Sequence, residues 1–270
     1  MKIDIHTHIN STDTEEVKKF VKACEKFETI ACVCSAVPHT DHEFPENAAT
    51  LKVAKQYPEI LIPFAFIDLW DKIDAAVVAD FIEQGFKGLK CIMPYYAYDH
   101  DLYMPVYEKA EKLKLPILFH TGVIRPYAPK DTIYRRPWLT NMNPLNLDRI
   151  ARAFPELKII IAHLGTRFFR KEAAELLMLH PHVYADLAGN GSWMALQPNE
   201  LASLLRSCVT EVDTSFSGFK KLLLGSDAYF TNPQIIEDAQ KYYEILLKRI
   251  GVPSEIIEGI MGKTTAEWVI

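Results

Sequence analysis

Lys158-Ile159-Ile160-Ile161-Ala162-His163 is continuously apolar after its opening lysine and closes on a histidine. A strand with one wet face alternates apolar and polar residues, whereas a strand of a parallel sheet covered on both faces is continuously apolar. Working outward, candidate strands recur at 2–8, 29–35, 61–67, 86–92, 116–120, 183–187 and 221–225, most of them continuously apolar too. Helical periodicity fills the intervals near 14–26, 46–57, 72–84, 103–114, 144–154, 167–179, 198–207 and 233–250. Pro58, Gly85, Pro116, Pro155, Pro181 and Gly251 punctuate the ends. Eight strand-then-helix units predict an α/β fold, a (β/α)8 TIM barrel forming one domain over residues 1–270. Two further helices, about 253–260 and 262–269, are expected to close it. The alternative, an open doubly wound sheet, usually stops at five to seven strands.

Composition sets the outer bounds. The chain has 270 residues, 49% of them hydrophobic, enough to fill a large core. A net charge of -5 offers no footprint for nucleic acid or an anionic membrane. The absence of a long apolar span or a signal segment at the start gives the expectation of a cytoplasmic protein. Cys24, Cys32, Cys34, Cys91 and Cys208 are odd in number and irregular in spacing, which suggests a reducing compartment. Cys32 and Cys34 read as small apolar residues of a buried strand. A homodimer is left open.

In a TIM barrel the chemistry sits at the C-terminal ends of the strands. His6 and His8 end the first strand, two residues apart and so on one face. His120 ends the fifth, His163 the sixth, and Asp227 follows the eighth in Leu224-Gly225-Ser226-Asp227. His180-Pro181-His182 has the same spelling as the first pair but precedes the seventh strand, on the opposite face. Nitrogen and carboxylate donors at one mouth suit a borderline divalent metal, zinc first, with manganese, iron, cobalt or nickel as alternatives.

Five stretches resemble the amidohydrolase superfamily. They are Ile3-Asp4-Ile5-His6-Thr7-His8, Gly85-Phe86-Lys87-Gly88-Leu89-Lys90, Leu115 through Gly122 with His120, Ile161-Ala162-His163-Leu164-Gly165 and Leu224 through Asp227. The similarity is to the amidohydrolase-related (amidohydrolase 2) branch, which includes the aminocarboxymuconate semialdehyde decarboxylase-like proteins. Ile260 through Ala266 resembles the family's closing helix start but departs from its usual Gly-Glu-Asn-Ala wording. The resemblance implies that His6, His8, His120 and Asp227 hold a single metal. His163 would then orient or deprotonate a water, or polarise the substrate, and Asp227 would move the proton.

Lys90 on the fourth strand has three readings. Carboxylated, as in binuclear members of the superfamily, it would bridge two metals and make His163 a ligand as well. As a cation it would bind a substrate carboxylate or phosphate, and as a structural lysine it would snorkel to the rim. The loop 121–143 follows the fifth strand and offers Arg125, Tyr127, Arg135 and Trp138 for an anionic, ring-bearing substrate. Tyr95 after the fourth strand and Asn190 after the seventh are further candidates. His39 and His42 face the same end.

The function expected is hydrolysis of a small molecule at an ester, lactone or amide bond by metal-activated water. The alternative is metal-dependent decarboxylation of a small unsaturated or aromatic acid. A non-catalytic, metabolite-binding barrel ranks third, because no ligand position is missing.

Overall fold

The computed structural model describes residues 1–35, 46–70, 74–124, 137–206 and 216–270. One curled sheet of parallel strands forms its centre. β1 (Lys2–His8), β2 (Thr29–Cys34), β3 (Leu61–Ile67), β4 (Gly88–Cys91), β5 (Ile117–Phe119), β6 (Ile159–Ile161) and β7 (Val183–Asp186) pair in chain order. Where one eighth strand is expected, two short ones occur. β8 (Leu222–Leu223) pairs with β7, and β9 (Ala228–Tyr229) pairs with β1. The stretch between them bonds to β1 as well: Ile5 N donates to Leu224 O at 2.9 Å and Asp227 N to His6 O at 2.7 Å.

Helices alternate with the strands: α1 (Thr14–Lys26), α2 (Asn47–Ala54), α3 (Val77–Gln84), α4 (Met104–Lys112), α5 (Asn146–Ala153), α6 (Thr166–Leu179), α7 (Pro198–Leu205) and α8 (Gln234–Ile250). α9 (Ser254–Glu258) and α10 (Thr264–Val269) follow, joined by a wide π turn. α1 shows why they form where they do. The Asp13 carboxylate caps it by accepting from the N–H groups of Glu15 and Glu16, those two acids sit at its positive end, and Lys26 sits at its negative end. Its buried Val17, Phe20, Val21 and Cys24 follow the three-to-four-residue spacing of one face. Among the described residues no helix is long and apolar enough to cross a membrane.

The continuously apolar strands serve two cores at once. Leu118 and Ile160 pack inside the curl with Ile3, Ile5, Cys32, Cys34, Phe64 and Leu223. Their neighbours Ile117, Phe119, Ile159 and Ile161 pack outward with Val106, Tyr107, Leu147 and Ala173 of the helices. In β5 and β6 neither face is left for polar side chains, and the histidines His120 and His163 come only after those strands end. Cys24, Cys32, Cys34 and Cys91 are buried and unpaired, and burial pushes the Cys34 thiol up to about 12. They are packing residues, as the sequence suggests for Cys32 and Cys34; Cys208 lies outside the described residues.

The closing segment has one position where only glycine fits. Gly262 has φ 155°, and a Cβ there would lie 2.5 Å from Ile3 N at the start of β1.

Candidate metal centre

His6 lies on β1 within a register shift between Asp4 and Thr7 in the pairing with β2, and His8 lies just past it. Such irregularities re-aim side chains and are common beside active sites. Both imidazoles are buried, and their Nε2 atoms lie 3.0 Å apart. Asp227 Oδ1 is 3.1 Å from His8 Nε2 and 3.5 Å from His6 Nε2. One atom from each residue therefore marks a triangle with edges of 3.0, 3.1 and 3.5 Å. Ligand atoms on a tetrahedral zinc ion, with bonds of about 2.0–2.2 Å, lie roughly 3.3–3.6 Å apart. The donor set fits a metal.

Backbone strain supports the same place. Asp227 and His163 have φ of 63° and 62°, a left-handed conformation that costs a non-glycine residue on the order of 1–3 kcal/mol. Strain of that kind gathers where a fold must aim a particular side chain. His163, directly after β6, puts Nε2 3.2 Å from His120 Nδ1, and its own Nδ1 donates to the Ala188 carbonyl at 3.1 Å. His120 joins the group through His163, with ring centroids 4.8 Å apart. Its Nε2 is buried without a hydrogen-bond partner among the described residues, as a nitrogen reserved for a ligand would be.

Lys90 is fully buried in β4 with Nζ 3.0 Å from His6 Nε2, so it does not run out to the rim. Burial pushes its ammonium pKa down from the usual 10.5, opposed by the neighbouring Asp227 and Asp186 carboxylates. Burial lowers His6, His8 and His120 as well, and the Lys90 charge adds to this in each. For Asp227 burial works upward, yet the hydrogen bond from His8 and the neighbouring imidazoles hold it well below the carboxylate range.

Two carboxylates absent from the sequence reading complete the surroundings. Asp186 ends β7 and accepts from His6 Nδ1 at 2.8 Å. Asp4 Oδ1 accepts from His6 N at 3.1 Å and from Ser226 N at 3.0 Å, clamping β1 to the turn that carries Asp227. Burial raises the Asp4 carboxyl to about 7. Tyr229 stacks on His8 with centroids 5.4 Å apart, and the Trp193 ring lies 6.5 Å from that of His163. Asp186 had a legible signal, a carboxylate at a strand's C-terminal end. Tyr229 had one in its spacing, two residues beyond Asp227.

Asn190 is buried, its Oδ1 accepting from Arg170 Nη2 and its Nδ2 donating to the His163 carbonyl at 3.5 Å. It braces the β7 loop, and its amide is already committed. Tyr95 is 51% exposed and its carbonyl accepts from Asn141, while Trp138 is 77% exposed; neither contacts the triad. Arg125, Tyr127, Arg135, His39 and His42 lie outside the described residues. His180 and His182 are engaged away from the mouth, with Asp148 at 2.8 Å and Lys158 at 2.7 Å.

The lowered imidazole pKa values carry a sign. Below the ordinary value of 6.5 the unfolded chain takes up protons that His6, His8 and His120 refuse in the fold, so stability is complete above that pH and falls beneath it. Asp4 acts oppositely between 3.8 and about 7, but as one group against three. The metal-free protein is therefore expected to lose stability as pH drops from 6.5 to about 5, read as a falling urea midpoint. A level or rising midpoint over that range would mean that the imidazoles are charged in the fold.

Comparison with known proteins now bears on this geometry. The amidohydrolase family model (Amidohydro_2) matches residues 35–269, from the end of β2 to the end of α10. An uncharacterised TIM-barrel protein from Bordetella bronchiseptica superposes with a TM-score of 0.71 at 15% identity, covering 99% of this chain and 97% of that one. A probable 2-pyrone-4,6-dicarboxylic acid hydrolase from Acinetobacter baumannii, with citric acid bound, gives 0.64 at 16% identity over 99% and 98%. A 2,6-dihydroxybenzoate decarboxylase from Rhizobium gives 0.61 at 15% over 99% and 98%. No curated protein sequence matches significantly. At these identities the structures speak for the fold alone, that of a TIM-barrel amidohydrolase. The span of the family match settles the rest: the chain belongs to the amidohydrolase family of enzymes.

Proposed function

We propose that the protein is a metal-dependent hydrolase that cleaves an ester, lactone or amide bond in a small, anionic molecule. The observation that carries this reading is the triangle of His6 Nε2, His8 Nε2 and Asp227 Oδ1, spaced as ligands of one divalent ion. His120 is read as the fourth ligand, and zinc as the metal, with manganese, iron, cobalt or nickel as alternatives. We also read β8 and β9 as halves of one interrupted strand closing a (β/α)8 barrel, with the centre at its C-terminal mouth.

A divalent ion in that position would polarise a carbonyl and lower the pKa of a bound water from about 15.7 toward about 7. The remaining work belongs to side chains. Asp227 is ionised and 22% accessible, so its carboxylate can take a proton from the attacking water and return it to the leaving atom. His163 has its Nδ1–H committed to Ala188, which leaves its Nε2 lone pair to accept from His120 Nδ1 at 3.2 Å and so to hold that ring with its own Nε2 bare. Lys90, a buried amine beside His6, would hold a substrate carboxylate; Trp193 and Tyr229 would cover an unsaturated body.

A second reading, decarboxylation of an unsaturated or aromatic acid, is favoured by the buried Lys90 cation and by the likeness to a decarboxylase. Assays for acid release from lactones, esters and amides, run beside assays for carbon dioxide release from carboxylic acids, separate the two. Metal analysis of the same preparation is expected to find about one equivalent per chain, whereas about two would support a carboxylated Lys90. No metal after supplemented expression would sink both readings.

A further inference from the structure

Asp186 belongs to no proposed ligand set, yet two histidines of the centre depend on it. It is the last residue of β7 and is fully buried. Its Oδ2 faces His6 Nδ1 at 2.8 Å, while its Oδ1 accepts from His163 N at 2.7 Å and from Ala188 N at 3.0 Å. Its seat is built for it, because a Cβ at Gly225 would come within 2.7 Å of its own Cβ.

We propose that Asp186 is the positioning residue of the metal centre, setting the tautomer of His6 with one carboxylate oxygen and the backbone around His163 with the other. A carboxylate only accepts, so His6 Nδ1 must carry the proton. The lone pair then lies on His6 Nε2, the atom that meets His8, Asp227 and Lys90. A metal-ligating histidine is commonly held in this way by a carboxylate on its far nitrogen. Oδ1 does a second task. His163 and Leu164 have φ of 62° and 44°, and the bond from His163 N helps to offset that strain. Ala188, tied to the same oxygen, offers the carbonyl that takes the proton of His163 Nδ1. One buried side chain thus fixes which nitrogen of each ring is bare.

The proposal rests on His6 being a metal ligand, and Asp186→Asn tests it. Asparagine has the same shape, and its amide oxygen can keep the two backbone bonds at Oδ1. Its NH2 then occupies the Oδ2 position, where it can only donate. His6 must turn to the other tautomer, with its proton on the nitrogen that the metal needs.

The expected result is a folded variant with a near-native unfolding midpoint, zinc affinity about 10- to 100-fold weaker by chelator competition, and His6 protonated on Nε2 by 15N NMR of the metal-free protein. The metal-free wild type should show the proton on Nδ1. Unchanged zinc affinity in a folded variant would overturn the proposal, since a purely structural carboxylate would tolerate the swap. So would a wild-type His6 with its proton on Nε2, a measurement that stands even if the variant fails to fold. His6, His163 and Asp186 are also close enough to hold an ion themselves. Two zinc equivalents in the wild type and one in the variant would make Asp186 a ligand and overturn its positioning role. Failure of the wild type to take up zinc would overturn the proposed function with it, whereas equal uptake by both proteins would overturn only the role of Asp186.

Discussion

Asp227→Ala is expected to leave a folded protein whose kcat/KM is lower by about 10³-fold or more, some 4 kcal/mol of transition-state stabilisation. Two roles fall together. Oδ1 is one corner of the donor triangle, and of the three carboxylates around the centre Asp227 alone is accessible, Asp4 and Asp186 being sealed. The fold should survive, because the tie to β1 is made by the main chain, Asp227 N to His6 O, which alanine retains. Alanine at φ 63° costs about 1 kcal/mol, so Asp227→Asn is the natural companion: asparagine tolerates the left-handed region but brings no charge. Stability near wild type in the Asn variant, with turnover lost in both, would assign the effect to chemistry. An alanine variant that keeps wild-type kcat after its metal has been stripped would refute the ligand assignment.

Much of this geometry was legible because the strands carry so little polarity. When Ile117, Leu118 and Phe119, or Ile159, Ile160 and Ile161, must serve two cores at once, the next residue is the first free to be functional. His120 and Ala162-His163 occupy those places, and the positional rule for barrel strands points to them without further help. The same rule applied to β7 ends on Asp186. Sorting by histidines passes over it, and nothing in local sequence separates a carboxylate that binds a metal from one that binds a ligand's imidazole.

What stayed hidden depends on contacts between distant parts of the chain. Lys221 onward reads as one strand until Gly225 and Asp227 break it, and the break has tertiary causes. Gly225 must make room for the Asp186 side chain, and Asp227 must turn left-handed to reach β1. Asn190 lies in a glycine-rich loop at the mouth, where an amide looks available. Arg170, in α6, is buried, and it takes the Asn190 oxygen along with Glu200 and the Met194 carbonyl. No periodicity announces a buried arginine in a helix.

Replacing Lys90 by methionine is expected to stabilise the metal-free protein while it damages the enzyme. The amine is fully buried, beside an imidazole that is itself neutral, and the carboxylates that favour its charge are Asp227 and Asp186 rather than a dedicated partner. A desolvated ammonium in such a place costs stability that an apolar side chain of similar length does not. Linkage gives the sign. With a folded pKa below 10.5, the unfolded chain holds a proton that the fold releases, so wild-type stability rises with pH through that window. The advantage of Lys90→Met in urea midpoint should therefore be largest near neutral pH and shrink toward pH 10.5. An advantage that grows with pH would mean that the fold stabilises the ammonium. On the catalytic side, loss of a charged hydrogen bond to a substrate carboxylate is worth about 1.5–3 kcal/mol, roughly 10- to 150-fold in KM. With metal content unchanged, that loss marks Lys90 as a substrate-binding cation. A fall from about two equivalents to about one, with bicarbonate dependence of the wild type, would mark a carboxylated bridge. Either result leaves the same conclusion for the interior of this curled sheet: a charge that weakens the fold is kept where the chemistry uses it.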